Sequence, residues 1–545
     1  MNTPRITTII YTTLILIMKI QELLKFIALN ILVLALFSCS HDELDDSPST
    51  LPIQVNTFAT YSIASFSKSG RVDIEMDEND KIIVRVNLNQ AVTEENAVKI
   101  YNGLFDGTEQ EVYLTLNPIP AGQTSSVTEV HQSDNGESIQ FEDLVKANRN
   151  LRVLLNSEEP YSINVFTDLG ENAFVQSGEK NYPLYDKDSS IVAETVMLPR
   201  ENASQMLVAV KLIEKEDSKE YYPSIITGSA ATGSLINEVI VSLPPILKFG
   251  NETTGNISFA NLSDFTDPMA IDNGFMTVTE ESTAGLEIGR GDVGGNELTG
   301  SYNDYVFDNE KNKSYKGTVR LQERRNGYTL IGYQMHSGDH NPSQNSSVGL
   351  YISNHIQYNE GEVTQLVEYQ SKSESVFYSD VRQLKYNELL VSDYHIRMFQ
   401  GTEDKGGDYY VVSNIGTAAY TGTTSETSIT YFEDIIAEPL KVKLKQRVNG
   451  QTEGVIEFAS SINPEERYEI TIYKGTDINE EHPTALVNLL SVKSSDGNVS
   501  YRDLHSDANG NSIDYIDMVG GQNHYRVKRK IDGGTYEYIG YGIVE

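Results

Sequence analysis

A single cysteine, Cys39, in a chain of 545 residues excludes an internal disulfide framework and any cysteine-based metal cluster. Tryptophan is absent and histidine numbers only nine. Basic residues are scarce as well: 42 Lys and Arg stand against 78 Asp and Glu, a formal net charge of −36. Such a charge disfavours nucleic acid and anionic lipid headgroups as partners. The sequence also lacks a G-x-S-x-G elbow, an H-E-x-x-H pair and a Walker loop, so the chain reads as non-catalytic and calls for no cofactor. Long helical periodicity is nearly missing past the N-terminal region.

What is present begins with a leader. The lysine-bearing head "MKIQELLK" precedes "FIALNILVLALF" (26–37), an apolar run of 12 residues, too short for a comfortable membrane span of about 20. The run ends in Leu36-Phe37-Ser38-Cys39, which resembles the lipobox of bacterial lipoproteins, although Phe37 is bulkier than usual there. Lipid attachment to Cys39 is therefore expected, with residues 1–38 removed. A further apolar run, "TTIIYTTLILIM", fits a signal peptide poorly, so translation is expected to start at Met18. The acidic "SHDELDD" after Cys39 resembles the export tag of surface lipoproteins in Bacteroidota. Together these features predict a lipid anchor in the outer membrane, an acidic tether over 39–51 and a body facing the cell exterior.

The body is repetitive. "TDLGENAF", "GDVGGNEL", "SNIGTAAY" and the terminal "YIGYGIVE" carry Gly170, Gly294, Gly416 and Gly540, at successive spacings of 124, 122 and 124 residues. These glycines read as structural closers of four units, 52–174, 175–298, 299–420 and 421–545. An aromatic-x-acid/amide-aliphatic step keeps phase at Phe141–Leu144, Phe259–Leu262, Tyr378–Val381 and Tyr501–Leu504, and is the expected place for a helical turn. "VYLTLNPI", "VIVSLPPI", "GLYISNHI" and "ALVNLLSV" recur as strand ends. Each unit opens with alternating segments flanking a turn at Asn79-Asp80, Asn202, Asn326-Gly327 or Asn449-Gly450, and Asn-Gly suits a tight hairpin. The expected fold is all-β, a tandem array of four antiparallel β-sandwich domains, each large enough to bury its own core of Val, Ile, Leu, Phe and Tyr.

The hairpin "ERRNGYTLIGYQM", the "LNPI" turn, "SIQFEDLVKANRNLRVLL" and the closing "DVGGNELTG" together resemble chordin-type (CHRD) domains, from about residue 52 to the end. The resemblance implies a secreted β-rich module and, in the family, an H-P-A-H-I-H run whose alternate histidines could bind a metal. Here that run has decayed: Asn96, Lys99 and Tyr101 stand at its histidine positions in the first unit and Tyr468, Thr471 and Tyr473 in the fourth. The second unit has Tyr221 and "SIITG", and only the third keeps a nearby histidine, His340. No metal site is expected.

Other candidates have plain alternatives. His336 and His340 flank Asp339 in a Gly- and Pro-containing stretch that reads as a loop. "DIEMDEND" (73–80) and "DANGNSID" (507–514) have alternate oxygen ligands but miss the full spacing of a calcium loop, and read as acidic turns. "GRGDVGG" (289–295) contains Arg-Gly-Asp but reads as a Gly-rich turn before the closing strand. Two function classes remain: a surface display or adhesion protein with an extracellular protein or matrix partner, or an accessory ligand- or glycan-binding lipoprotein of an outer-membrane uptake system. Lack of Trp weakens the second, though 32 Tyr can supply aromatic faces.

Overall fold

The computed structural model describes residues 54–155, 163–175, 178–202, 205–213, 219–232, 238–246, 256–263, 265, 267–307, 316–337, 345–352, 362–370, 376–381, 384–400, 409–432, 440–458, 467–493, 499–531 and 534–545. Cys39 and the whole leader lie outside them, as does His340. The chain divides into two compact units, residues 1–55 with Glu75–Lys81, and Asn56–Ile74 with Ile82–Glu545. In the first, Asp77 Oδ1 accepts the N–H groups of Asn79 (2.8 Å) and Lys81 (3.0 Å), closing a tight turn.

The described residues form an all-β, antiparallel structure of sandwich-like repeats. In the first repeat the eight strands are Gln54–Ser62, Lys68–Met76, Ile82–Leu88, Asn96–Asn102, Val112–Ile119, Ser125–Val130, Arg149–Leu154 and Ile163–Leu169. Numbered one to eight within a repeat, they assemble in the order 5-4-7-8-1-2-3-6. The second repeat, from Lys180 to Val293, has the same order. In the third, Leu298 to Gly416, it appears as two separate sheets, 1-2-3-6 and 5-4-7-8. The fourth, from Tyr420 to Ile543, splits strand one into Tyr420–Ser428 and Thr430–Tyr431, and the second piece joins the other sheet beside strand eight.

Alternation drives this folding: along Leu440–Arg447, for example, Leu440, Val442 and Leu444 enter the core while Lys441 faces water. Repeats two, three and four each enclose an apolar cluster, around Met276 and Val278, Leu321 and Ile331, and Ile472 and Val527 respectively.

The helical turns differ from expectation. Phe141–Val145 is helical, but Phe259–Leu262, Tyr378–Val381 and Tyr501–Leu504 lie in sixth strands, Ile257–Ser263, Val376–Val381 and Val499–Leu504. Along Val376–Val381 the exposed Tyr378 and half-buried Asp380 alternate with the buried Ser379 and Val381, and all three strands pair with strand three. The true helical counterparts of Phe141–Val145 are Tyr386–Val391 and Tyr515–Val519. In all three the acid at the third helical position accepts the N-cap N–H: Asp143 from Gln140, Glu388 from Lys385 and Asp517 from Asp514, at 2.8, 2.8 and 3.0 Å. The second repeat has a 3-10 turn instead, Pro268–Ala270, capped by Asp267. "GLYISNHI" also shifts: it opens on strand four of its repeat, Asn345–Ile352, whereas its three companion segments open on fifth strands.

Candidate functional site: the junctions between repeats

Strand two of repeats two, three and four runs into a turn of the same composition: Arg200-Glu201-Asn202, Arg324-Arg325-Asn326 and Arg447-Val448-Asn449. All three arginines are almost fully buried. The residue after each donates its N–H at 2.9 Å to the end of the preceding repeat: Glu201 to Ala173 O, Arg325 to Glu297 O, and Val448 to Ala419 O. Each turn therefore docks on its predecessor, and its arginine needs a buried anion or carbonyl there. The first repeat has Asp77 at this position in place of arginine.

The anion comes from the closing motif. Asp168 takes Arg200 Nε and Nη2 on Oδ2, at 2.9 and 2.7 Å, and Phe105 N–H on Oδ1 at 2.7 Å. Both partners of this ion pair are shielded from solvent. Burial pushes the Asp168 carboxyl up to about 6, against the opposing pull of Arg200 and the Phe105 N–H; at neutral pH it is ionised and faces the guanidinium as a charge-assisted pair. Asp292 repeats the pattern, taking Arg324 Nη1 at 2.8 Å and Ala230 N–H at 2.7 Å, and burial raises its carboxyl too. Arg324 also holds Asp380 of its own repeat at 2.9 Å and the Asn296 carbonyl. Asp292 is the aspartate of Arg-Gly-Asp; it sits in the closing strand itself, not in an exposed turn.

At the third junction the charge has moved. Asn414 stands where Asp168 and Asp292 stand, as pairing with His395, Asn150 and Phe275 on strand seven shows. Arg447 is neutralised within its own repeat by Glu453 at 2.7 Å and Asp503 at 3.2 Å, and donates to Ala418 O at 2.6 Å. Glu453 occupies the strand-three position of Leu207 and Leu330. Tyr420 links the two halves, donating to Glu453 and accepting from Asn414 Nδ2.

Gly170 and Gly294 follow strand eight and Gly416 ends it, with φ of +71°, +61° and +62°. A Cβ on Gly416 would strike the carbonyls of Leu389 and Ser392, so only glycine fits. Gly540 differs: it lies within strand eight, Tyr536–Ile543, opposite Val527. The fourth counterpart of Asp168 is Ile543, opposite His524, and it is exposed.

Strand seven carries a second recurring set. Arg152 lies over the Tyr101 ring (4.4 Å), Arg397 over Tyr351 (5.1 Å) and Arg526 over Tyr473 (5.2 Å). Two residues earlier are Asn150, His395 and His524, the histidines stacked on those tyrosines at 5.1 and 5.7 Å. Two of these guanidiniums pin the loop after strand four: Arg152 donates to Thr108 O and Gln110, and Arg526 to Glu480 O. Tyr101 and Tyr473, two of the decayed histidine positions, thus serve as platforms for arginine. In the third repeat strand four bears Tyr351, and His340 lies outside the described residues. His336 lies in strand three, Thr329–Ser337. Among the described residues no group of three His, Cys, Asp or Glu is placed to hold a metal ion. Asp507 is tied to Asn509 N–H, Asn511 N–H and Asn511 Nδ2 in a closed turn.

The arginine clasp has a sequence signature, an Arg-x-Asn recurrence at spacings of 124 and 123 residues between Arg200, Arg324 and Arg447, which the turn residues alone do not reveal. No family model and no curated protein matches this chain. Among solved structures, Salmonella alpha-2-macroglobulin reacted with methylamine is similar over 93% of this chain and 40% of that one, at 7% identity and a TM-score of 0.14. Dimeric latent PorU from Porphyromonas gingivalis is similar over 69% and 35%, at 11% identity and a TM-score of 0.12. This chain spans less than half of either, and likenesses of that size bear on neither fold nor activity.

Proposed function

We propose that this chain is a non-catalytic cell-surface lipoprotein, held in the outer membrane by a lipid on Cys39, whose tandem CHRD-like sandwiches present loops and strand edges to an extracellular protein or matrix partner. The observation that supports this reading is the directional clasp: arginine on repeats two to four and a neighbour-facing acid or amide on repeats one to three. Asp77 stands at the arginine position of the first repeat and Ile543 at the closing position of the last. Such a series fixes each repeat's register against the next, which suits display at defined spacing more than turnover of a substrate.

Two measurements test it. Mass spectrometry of the mature N-terminus should find a lipidated Cys39, and an intact leader would sink the anchor. Protease shaving of intact cells followed by pull-down should release the repeats and recover an extracellular protein or matrix component. Repeats protected until the cells are lysed would sink the display reading.

A further inference from the structure

The first repeat contains a cavity of about 380 Å³ between the loop joining strands one and two and the loop joining strands three and four. Its origin is a substitution visible only once the repeats are in register. Tyr101 lies opposite Asn150, Ile226 opposite Phe275 and Tyr473 opposite His524. Five residues earlier on the same strands stand Asn96, Tyr221 and Tyr468. Both tyrosines are buried in the cores of their repeats. Asn96 is equally buried, 1% exposed, but far smaller, and it lines the cavity. Its Nδ2 donates to Leu154 O at 3.0 Å, while its Oδ1 has no hydrogen-bond partner in the protein. The small side chain in place of a ring leaves room for a ligand at a position that repeats two and four fill with tyrosine.

The rest of the wall says which kind. Ser62, Ser65, Ser67 and Ser69 line one side, and Asn89 and Asn164 add amides. Among the described residues no carboxylate and no aromatic ring lines it, in a chain with 78 acidic residues. Lys68, the one charged residue among the described lining residues, is already engaged. Hydroxyls and amides donate and accept equally well, which matches a neutral polyhydroxylated molecule and not an ion. The volume lies in the small-ligand range of roughly 300–1,000 Å³. We propose that the first repeat binds a neutral saccharide in this cavity, held by the hydroxyls and amides of its wall. The proposal does not rest on the display reading, and its failure would leave that reading untouched.

The test is calorimetric titration of the full chain with neutral trisaccharides (maltotriose, cellotriose, mannotriose, chitotriose) and with trigalacturonate as the anionic comparator. At least one neutral trimer should bind, and Asn96→Tyr, which restores the residue of repeats two and four, should weaken it by about tenfold or more without lowering Tm. Ser65→Trp, on the exposed rim, should weaken the same trimer and guards against misfolding of the first variant. Absence of neutral binding at millimolar concentration, binding of trigalacturonate alone, or both variants binding as wild type would each overturn the proposal.

Discussion

The first junction is sealed by apolar side chains and the second is polar, although both use the same clasp. Around Arg200 and Asp168, Phe105 and Phe166 of the first repeat stack at 4.1 Å, and Phe259 of the second meets Phe105 edge-on at 5.1 Å. Val196, Leu198, Leu207 and Ala209, from strands two and three of the second repeat, join the same cluster. In the third repeat the positions of Val196, Ala209 and Phe259 are taken by Arg320, Gly332 and Tyr378. There Arg320 makes a bidentate pair with Asp304 and Tyr378 is exposed. One topology therefore carries either a hydrophobic seal or an open charged face. The clasp orients repeats, while the residues around it decide how much surface is buried.

The largest test of this contrast is Arg200→Ala. It leaves Asp168 as a carboxylate shut inside an apolar cluster, and should cost about 3–5 kcal/mol in denaturant unfolding. Arg324→Ala should cost less, because Asp292 and Asp380 keep partial contact with solvent. The double replacement Arg200→Met with Asp168→Leu should recover most of the loss, since well-packed apolar residues can stand in for a buried pair. Equal losses for Arg200→Ala and Arg324→Ala would remove the distinction between the junctions.

Phe105→Ala comes next, with an expected loss of about 3 kcal/mol for a buried ring. Phe105 sits on the loop pinned by Arg152, and both its N–H and its C=O are used, toward Asp168 and Asn261. The backbone bonds should survive, so the truncation should lower stability without abolishing docking. Thermal unfolding monitored with an intrinsic tyrosine signal would check it, and an effect below 1 kcal/mol would show that the seal contributes little.

Much of the fold could be read from the sequence because alternation and a period near 122 residues are local, repeated signals. Turn residues at Asn326-Gly327 and Asn449-Gly450 marked their hairpins correctly, with Gly327 and Gly450 at positive φ. The helical turn was misplaced in repeats two to four, since an aromatic followed by an acid and an aliphatic suits a strand edge as well as a helix; the deciding feature is an acid that can reach back to the N-cap. Gly540 keeps the spacing of the other three glycines, but it lies inside strand eight, which runs on to Ile543. The clasp itself joins Arg200 to Asp168 across a repeat boundary, and no single unit shows why a lone arginine should be buried.

The third junction offers a finer comparison, because its carboxylate has crossed from the closing strand to strand three. Asn414→Asp alone adds an acid to a cluster that already holds Glu453 and Asp503, and Glu453→Leu alone takes from Arg447 the nearer of its two carboxylates. Each should destabilise by about 1–2 kcal/mol. Together they recreate the arrangement of the second junction, so the double variant should be better than the sum by about 1–2 kcal/mol. Strict additivity in a double-mutant cycle would deny that the charge was transferred.

The smallest effect belongs to the open face of the third repeat. Arg320 binds Asp304 at 2.7 and 2.8 Å with both side chains nearly half exposed. The hydrogen bonds from Arg320 hold the Asp304 carboxyl below its ordinary value. A depressed carboxyl contributes stability that is present above the unfolded pKa and lost as pH falls through the folded one. Solvent screening keeps that contribution below about 0.5 kcal/mol. Asp304→Asn should therefore lower Tm slightly at pH 7 and not at all at a pH below the folded value of Asp304, and 1 M salt should erase the difference. The Arg200 clasp, shielded from ions, should keep its contribution in the same salt. If salt instead weakens the Arg200 clasp as much as the Asp304 pair, the contrast between a sealed junction and an open face is lost.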